Sequence, residues 1–257
     1  MQLFNAATDF TRRASAPEAQ DALALNVFFD PKSVAVIGAS SDPKKPGNTA
    51  LRHMISMGYK GKLYPINPRE KGILGLPCYK SVSEIPEPVD LCVLMVAAEL
   101  TVPVAREMAE RKRGANDIKG AICMSAGFGE IDAPEAKQRQ RDLIATLHSA
   151  DIRLIGPNCV GVMDTVSGFN TNFDIGSYPQ GGISVLTQSG AFGNSFLFAS
   201  GTGGRVGLNK YVSMGNMADV QMAELLSFLK DDPTTRVIGI YLEGLRDPRA
   251  FFAAAAM

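Results

Sequence analysis

The sequence predicts an α/β protein built on parallel sheets, and three observations carry that prediction. Short apolar runs rich in Val and Ile recur along the chain, at Ser33–Ile37, Val89–Val96, Gly120–Met124, Gly182–Thr187 and Val237–Leu242. Segments with helical spacing alternate with these runs. Small-residue loops stand where the strands would end, beginning at Gly38, Ser125, Gly156 and Gln188. Near-continuous apolar strands separated by helices are strands buried on both faces, which requires helices on either side of the sheet.

The chain has 257 residues, is 46% hydrophobic and carries no formal net charge. That length fits one large or two medium domains with a sizeable core. Zero net charge argues against wholesale nucleic-acid binding. No apolar run approaches the ~18 residues of a membrane span. Residues 1–26 lack a continuous apolar segment followed by a small-residue cleavage pattern, so they read as an N-terminal extension and not a signal peptide. Cys78, Cys92, Cys123 and Cys159 are not spaced as a metal pair, and three lie in or beside apolar strands. They read as buried reduced thiols of a cytoplasmic protein, with no metal site.

The first βα unit organises the rest. Ser33–Ile37 is a strand, Gly38 ends it, and a Gly/Ser/Pro/Lys loop leads into a helix over Gly47–Met57, with Ala50, Leu51, Met54 and Ile55 on apolar spacing. A strand, a small-residue loop and a helix N-terminus present backbone N–H groups and a positive helix end to a phosphate. Ser40 and Ser41 add hydroxyls, and Lys44 and Lys45 add charge. The loop departs from the dinucleotide fingerprint, because Ser40 and Pro43 stand where that pattern wants glycines. The next strand, Lys62–Ile66, runs into Asn67 in place of the acid that would hold a ribose hydroxyl. A phosphate site is therefore expected, but not a site for NAD.

The remaining elements follow in order. Leu76–Tyr79 is extended. Val89–Val96 is a strand, and a helix over Val102–Arg113 carries Pro103 at an early, tolerated position. Gly120–Met124 is a strand, Pro134–Ser149 a charged helix and Arg153–Ile155 a strand. The pattern lapses over 165–181, which reads as a connection between a domain at 27–164 and a second at 182–257. In the second, strands are expected at Gly182–Thr187, Val206–Val212 and Val237–Leu242, with helices after Gln188 and over Met222–Leu229. The chain stops inside what reads as a further helix, as a truncated or split gene product would.

Ligands of parallel sheets collect at the carboxyl ends of strands. In the first domain those ends are Gly38–Asn48, Asn67 to Lys71, Ser125–Gly129 and Gly156–Gly161. The candidate binding residues are Gly38, Ser40, Ser41, Lys45, Gly47, Asn48, Asn67, Arg69, Lys71, Ser125, Ala126, Gly127 and Asn158. They describe a crevice for a phosphate-rich ligand, with Arg69 and Lys71 free for a further phosphate. In the second domain, Ser189 caps a helix starting at Gly190 and could aim its hydroxyl and free amides at a phosphate. A Gly-x-Ser-x-Gly nucleophile turn is ruled out, because residue 187 is Thr. Glu243 ends an apolar strand, where a charge needs a partner.

Taken together, Phe29–Ser40, Ile66-Asn67-Pro68, Ser125-Ala126-Gly127-Phe128, Gly156–Gly161, Gln188-Ser189-Gly190-Ala191, Ser213-Met214-Gly215-Asn216 and Tyr241-Leu242-Glu243-Gly244 resemble the α part of the nucleoside-diphosphate-forming acyl-CoA synthetases, relatives of the succinyl-CoA synthetase α subunit. The resemblance implies a Rossmann-like CoA-binding domain followed by a flavodoxin-like domain, here truncated. It implies CoA across the Gly38–Asn48, Asn67–Lys71 and Ser125–Gly127 loops. It makes the helix at Gly190 one of two whose N-termini hold the phosphate of a phosphohistidine, and Glu243 the carboxylate that positions that histidine. The implied reaction interconverts acyl-CoA, phosphate and a nucleoside diphosphate with acid, CoA and a triphosphate. ATP and magnesium would enter through an ATP-grasp domain or β subunit, in an oligomer.

The sequence departs from that family in its histidines. It has two, His53 and His148, and neither lies in a glycine-rich loop after the Tyr-Leu-Glu-Gly strand. Both read as structural or solvated. The histidine loop and the ATP-grasp part are thus expected elsewhere, and the chain alone is expected to be inactive. The alternative is a regulatory domain of a protein acyltransferase that senses CoA or acyl-CoA.

Overall fold

A computed structural model describes residues 25–173, 178–203 and 206–256. Most of the expected N-terminal extension, and residues 174–177 of the expected connection, lie outside the described residues.

The first sheet contains β1 (Ser33–Ile37), β2 (Lys62–Ile66), β5 (Leu91–Leu94), β6 (Gly120–Cys123) and β7 (Arg153–Ile155) in the order β2-β1-β5-β6-β7, with every neighbouring pair parallel. Every residue of β1, β5 and β6 is buried, as their unbroken apolar runs require. Between β2 and β5 lies a small antiparallel hairpin, β3 (Gly72–Ile73) with β4 (Leu76–Pro77). Helix α1 (Pro46–Ser56) covers one face through Leu51 and Met54. Helices α2 (Ala98–Ala115) and α3 (Pro134–His148) cover the other through Ala105, Met108, Leu143 and Leu147. Full burial of each large apolar side chain contributes about 1.5–3 kcal/mol.

Two details of α1 and α2 differ from expectation. Ile55 faces outward and is 47% exposed. Helix α2 starts at Ala98, so Pro103 lies inside it and not in its first turn. In its first turn the Thr101 hydroxyl donates to the Ala98 carbonyl at 2.7 Å.

The second sheet holds β8 (Val162–Asp164), β9 (Phe169–Asn170), β10 (Gln180–Thr187), β11 (Leu208–Ser213) and β12 (Val237–Tyr241), in the order β12-β10-β11-β8-β9. β10, β11 and β12 are parallel, whereas β8 runs antiparallel to β11 and β9 antiparallel to β8. The sheet is mixed, and not the wholly parallel sheet expected. The reason is local: the four residues between β8 and β9 are too few for a helical crossover, so the chain must fold straight back. Asp164 makes that turn, accepting from the amides of Val166 and Ser167. Helices α4 (Gly190–Gly203), α5 (Met222–Lys230) and α6 (Pro248–Ala255) complete the described chain.

One core runs between the sheets. Leu51, Met54, Val93 and Ile155 share a buried cluster with Leu186, Val212, Leu225 and Leu229. Phe29 stacks on Phe228 with ring centroids 4.9 Å apart. The His53 ring on α1 is buried, and its Nδ1 donates to the Asn172 carbonyl at 2.8 Å. Far from the loops at the strand ends, the buried Lys210 donates to Asp232 at 2.7 Å, and Asp232 also accepts from Asn209 and Thr235. Asp164 lies 3.6 Å from the same ammonium, so removing Lys210 would leave two carboxylates without their cation.

Candidate functional site

Counted along the chain, the parallel strands of the first sheet lie in the order 2-1-3-4-5, so the winding direction reverses between β1 and β5. A ligand crevice opens at the carboxyl ends of such a pair. Here the backbone comes very close: Gly38 has φ +94°, and a Cβ placed on it would lie 2.3 Å from the Met95 carbonyl oxygen. Only glycine fits there. Gly47 is under the same constraint from the Gly38 carbonyl, also at 2.3 Å.

The loop between β1 and α1 is held from inside. Asn48 is buried and donates through Nδ2 to the Ser40 carbonyl at 2.8 Å, while its Oδ1 accepts from Arg52 at 2.9 Å. Asn67 donates to the Ala39 carbonyl at 2.8 Å and accepts from the Arg69 amide. These two amides therefore shape the crevice. The loop's backbone donors are engaged as well. Ser41 N–H donates to Glu70, Asp42 N–H to the Ser40 hydroxyl, and Lys44 N–H to Asp42. Pro46 has no N–H, and the Asn48 and Thr49 amides donate to the Lys45 carbonyl. The expected cradle of free amides is mostly filled by the loop itself. What the loop offers outward is the charge of Lys44 and Lys45, both exposed, with Arg69 and Lys71 exposed nearby in sequence after β2.

The loop after β6 is likewise internally satisfied. Ser125 is buried and donates to the Val96 carbonyl at 2.5 Å. Gly127, at φ +108°, and Phe128 direct their amides at one carboxylate: Gly127 N–H donates to Glu130 Oε1 at 2.6 Å, and Phe128 N–H reaches both Glu130 oxygens at 3.1 Å. Arg139 closes the other side by donating to the Gly127 carbonyl. Ala126 remains exposed at the tip. Asn158 lies in the loop after β7 at φ +59°, where its N–H donates to the Ser125 carbonyl at 2.9 Å.

The second sheet meets this floor through the same loop. Val160 N–H donates to the Ser213 hydroxyl, Ser213 N–H to the Gly161 carbonyl, and Met214 N–H to the Thr187 carbonyl. A Cβ on Gly190 would lie 3.3 Å from Val160, so the start of α4 abuts the loop after β7. Ser189 caps α4, its hydroxyl accepting from the Phe192 amide at 3.2 Å. That bond takes one first-turn amide of α4; the others of a helix start have no intrahelical acceptor and form its positive end. Gln188 spans β10 and β12, accepting from the amides of Glu243 and Gly244.

Glu243 is exposed, because β12 is an edge strand with Val237 and Tyr241 also exposed. The expectation that its charge would be buried is thereby corrected; water solvates it. Neither histidine adjoins the start of α4. His53 is in the shared core, and His148 pairs with Asp219 at 3.0 Å. Sequence reading missed Glu70, Glu130 and Arg52, and named Gln188 and Asn216 only as parts of motifs, with no role assigned. The spacing of Glu130 three residues after Gly127 was a usable sign, since a carboxylate there can reach back to free amides, as in a capping box.

The fold is that of a two-lobed α/β protein in which the loops after β6 and β7 of one sheet meet the end of β11 in the other through hydrogen bonds. Residues 32–165 match the family model described as a CoA binding domain, and residues 180–257 match the one described as a succinyl-CoA ligase like flavodoxin domain. The chain belongs to the CoA-binding domain family. It is 37% identical to the acetate–CoA ligase (ADP-forming) II subunit alpha of Pyrococcus furiosus, over 90% of this chain and 49% of that protein. It is 40% identical to the acetate–CoA ligase (ADP-forming) II of Archaeoglobus fulgidus, over 90% of this chain and 34% of that one. Among solved structures, it superposes on the dinucleotide forming acetyl-coenzyme A synthetase 1 of Ca. Korarchaeum cryptofilum, in complex with phosphate and ADP, with a TM-score of 0.84, 34% identity and coverage of 90% of this chain and 48% of that one. The chain spans about half the length, or less, of the relatives it matches. Among the described residues, no helix is long and apolar enough to cross a membrane.

Proposed function

We propose that this chain is the CoA-binding part of an ADP-forming acid–CoA ligase, which interconverts acyl-CoA, phosphate and a nucleoside diphosphate with acid, CoA and a nucleoside triphosphate. The observation that carries the reading is the shared floor. The loop after β7 hydrogen-bonds to the loop after β6 in one lobe and to the end of β11 in the other, and it abuts the start of α4. A neutral arm lies over Gly38, Ser40 and Ala126, while the anionic end of CoA meets Lys44, Lys45, Arg69 and Lys71. Asn48, Asn67, Ser125 and Asn158 hold the loops in shape. The first turn of α4, with Ser189 and Gly190, supplies an anion site facing the thiol end. Glu243 stands at the neighbouring strand end, in position to orient a cationic group.

ATP and magnesium belong to an ATP-grasp domain or β subunit in this reading, and the assembled enzyme is an oligomer. Support comes from relatives named as alpha subunits and from the half-length match. Free cysteines, three of them buried, fit a reducing cytoplasm.

Calorimetric titration of this chain with CoA and with NAD tests the reading. CoA binding is expected; tight NAD binding without CoA binding overturns it. A charge-assisted contact contributes about 1.5–3 kcal/mol. Alanine at the right one of Lys44, Lys45, Arg69 and Lys71 should therefore weaken CoA about tenfold or more, and four silent alanines would mark the cluster as a solvated surface.

The alternative reading is a CoA- or acyl-CoA-sensing module of a protein acyltransferase; His53, bonded to Asn172, and His148, paired with Asp219, are committed to structural contacts in either case. Both readings expect the isolated chain to take no label from labelled ATP. They separate when the part carrying the histidine loop and an ATP-grasp partner are both added, since only the ligase then forms acyl-CoA.

A further inference from the structure

We infer that Glu130 and Asn216 form a clasp between the lobes, and that Glu130 is a positioning residue which fixes the Ser125–Gly129 loop of the CoA-side lobe against the loop that follows β11. The inference rests on the CoA-ligase reading for its functional consequence, but not for the clasp itself.

The geometry is a closed ring. Glu130 gathers the Gly127 and Phe128 amides on its own lobe and accepts from Asn216 Nδ2 on the other at 2.6 Å. The same Asn216 nitrogen lies 2.8 Å from Gln140 Oε1, which also accepts from the Gly129 amide at 3.1 Å. Asn216 Oδ1 faces Asn158 Nδ2 at 3.3 Å, and the Asn158 amide returns to the Ser125 carbonyl. The Asn216 backbone is fixed independently, by its N–H on the Pro157 carbonyl and by Gly215 at φ +53°, where a Cβ would lie 2.2 Å from that carbonyl oxygen. Asn216 is thus a rigid donor, and Glu130 is the one charged acceptor that reaches it in the ring. Burial pushes the Glu130 carboxyl up, but the bonds from Asn216, Gly127 and Phe128 outweigh this and hold it below its ordinary 4.5.

Two consequences follow for the crevice. The carboxylate occupies the amides that a ligand phosphate would need, so the loop after β6 serves as a wall, and phosphate is left to the lysines beside β1. The clasp also sets the spacing between that wall and α4, because the β11 loop is tied to Thr187 just before Ser189.

The test is a set of variants: N216A, E130A, the two combined, E130Q, and E130Q combined with N216D. In E130Q the new amide group faces the Asn216 amide, donor against donor. The polarity-swapped double variant restores a donor–acceptor pair between 130 and 216 while the side-chain oxygen left at position 130 keeps the loop amides; the carboxylate of N216D also faces Gln140 Oε1, so the Gln140 amide must turn its Nε2 toward it and give up the Gly129 bond. Hydrogen exchange reads the clasp without any ligand: N216A should speed exchange at Gly127 and Phe128, on the opposite lobe, about tenfold, and unchanged exchange there overturns the clasp. Calorimetry with CoA reads the consequence. E130A and N216A should each weaken CoA several-fold, together no more than either alone, and the polarity-swapped pair should bind CoA more tightly than E130Q alone. Additive losses, no recovery, or losses that simply follow the melting temperature overturn the positioning role. If the unmodified chain binds no CoA, the ligase reading and the positioning role both fall, and the exchange data still decide the clasp.

Discussion

The side-chain oxygen of Gln188 lies 2.5 Å from the amide nitrogen of Glu243 and 3.0 Å from that of Gly244. One residue at the end of β10 therefore holds the end of β12, across the point where the winding of the second sheet reverses. Each such bond contributes about 0.5–1.5 kcal/mol net. Replacing Gln188 with alanine should raise hydrogen exchange at Glu243 and Gly244 about tenfold while the amides of β11 keep their protection. Equal exchange in both proteins would show that β12 is held by its ladder alone.

Gly38→Ala should destabilise the fold. The added methyl would meet the Met95 carbonyl at 2.3 Å, at a φ of +94° that L-residues rarely adopt. A backbone strain of this kind costs about 1–3 kcal/mol. Thermal unfolding should show it directly, and an unchanged midpoint would mean that β1 and β5 can part without cost.

Arg111 and Asp117 are nearly buried and 2.7 Å apart, and the guanidinium also donates to the carbonyls of Val82, Ile85 and Glu87. Breaking a buried pair by removing one partner costs about 3–5 kcal/mol. Lysine at 111 should not restore it, since one ammonium cannot serve all four acceptors. Burial pushes Asp117 up, but the Arg111 bond, with help from the Val89 and Ile118 amides, holds its carboxyl below the ordinary 3.8. The unfolded chain then takes up the proton first as acid is added. The stabilisation is complete above pH 3.8 and is lost as pH falls through the folded value. Urea midpoints against pH should show this acid limb flattened in Asp117→Asn.

His53 works in a different window. Burial lowers its pKa from 6.5; the bond to the Asn172 carbonyl opposes that only in part, and Arg52 adds to the lowering. The unfolded chain protonates first, so stability is full above pH 6.5 and declines as pH falls through the folded value. His53→Gln, which can still donate to Asn172, should remove this slope. A slope that persists would assign it to another group.

The first sheet was legible in the sequence because its strands are buried on both faces: β2 and β7 have the bounds their apolar runs suggest. β8 and β9 were not, because strands of three and two residues containing Asp164 and Asn170 show no period. Their burial comes from α1 and β11, partners distant in sequence. The site followed the same division. Which loops converge could be read from small residues at strand ends. Whether their amides are free could not, since that depends on where Glu70 and Glu130 direct their carboxylates.

The hairpin of β8 and β9 has a consequence for how the molecule comes apart. It leaves the first sheet directly after β7, yet it supplies an edge of the second, and His53, Tyr59 and Phe29 of the first lobe rest on residues within or beside it. A cut between β7 and β8 would part the hairpin from the lobe whose His53, Tyr59 and Phe29 rest on it. The lobes are thus a single cooperative unit, and heating should melt them in one calorimetric transition, with equal calorimetric and van't Hoff enthalpies.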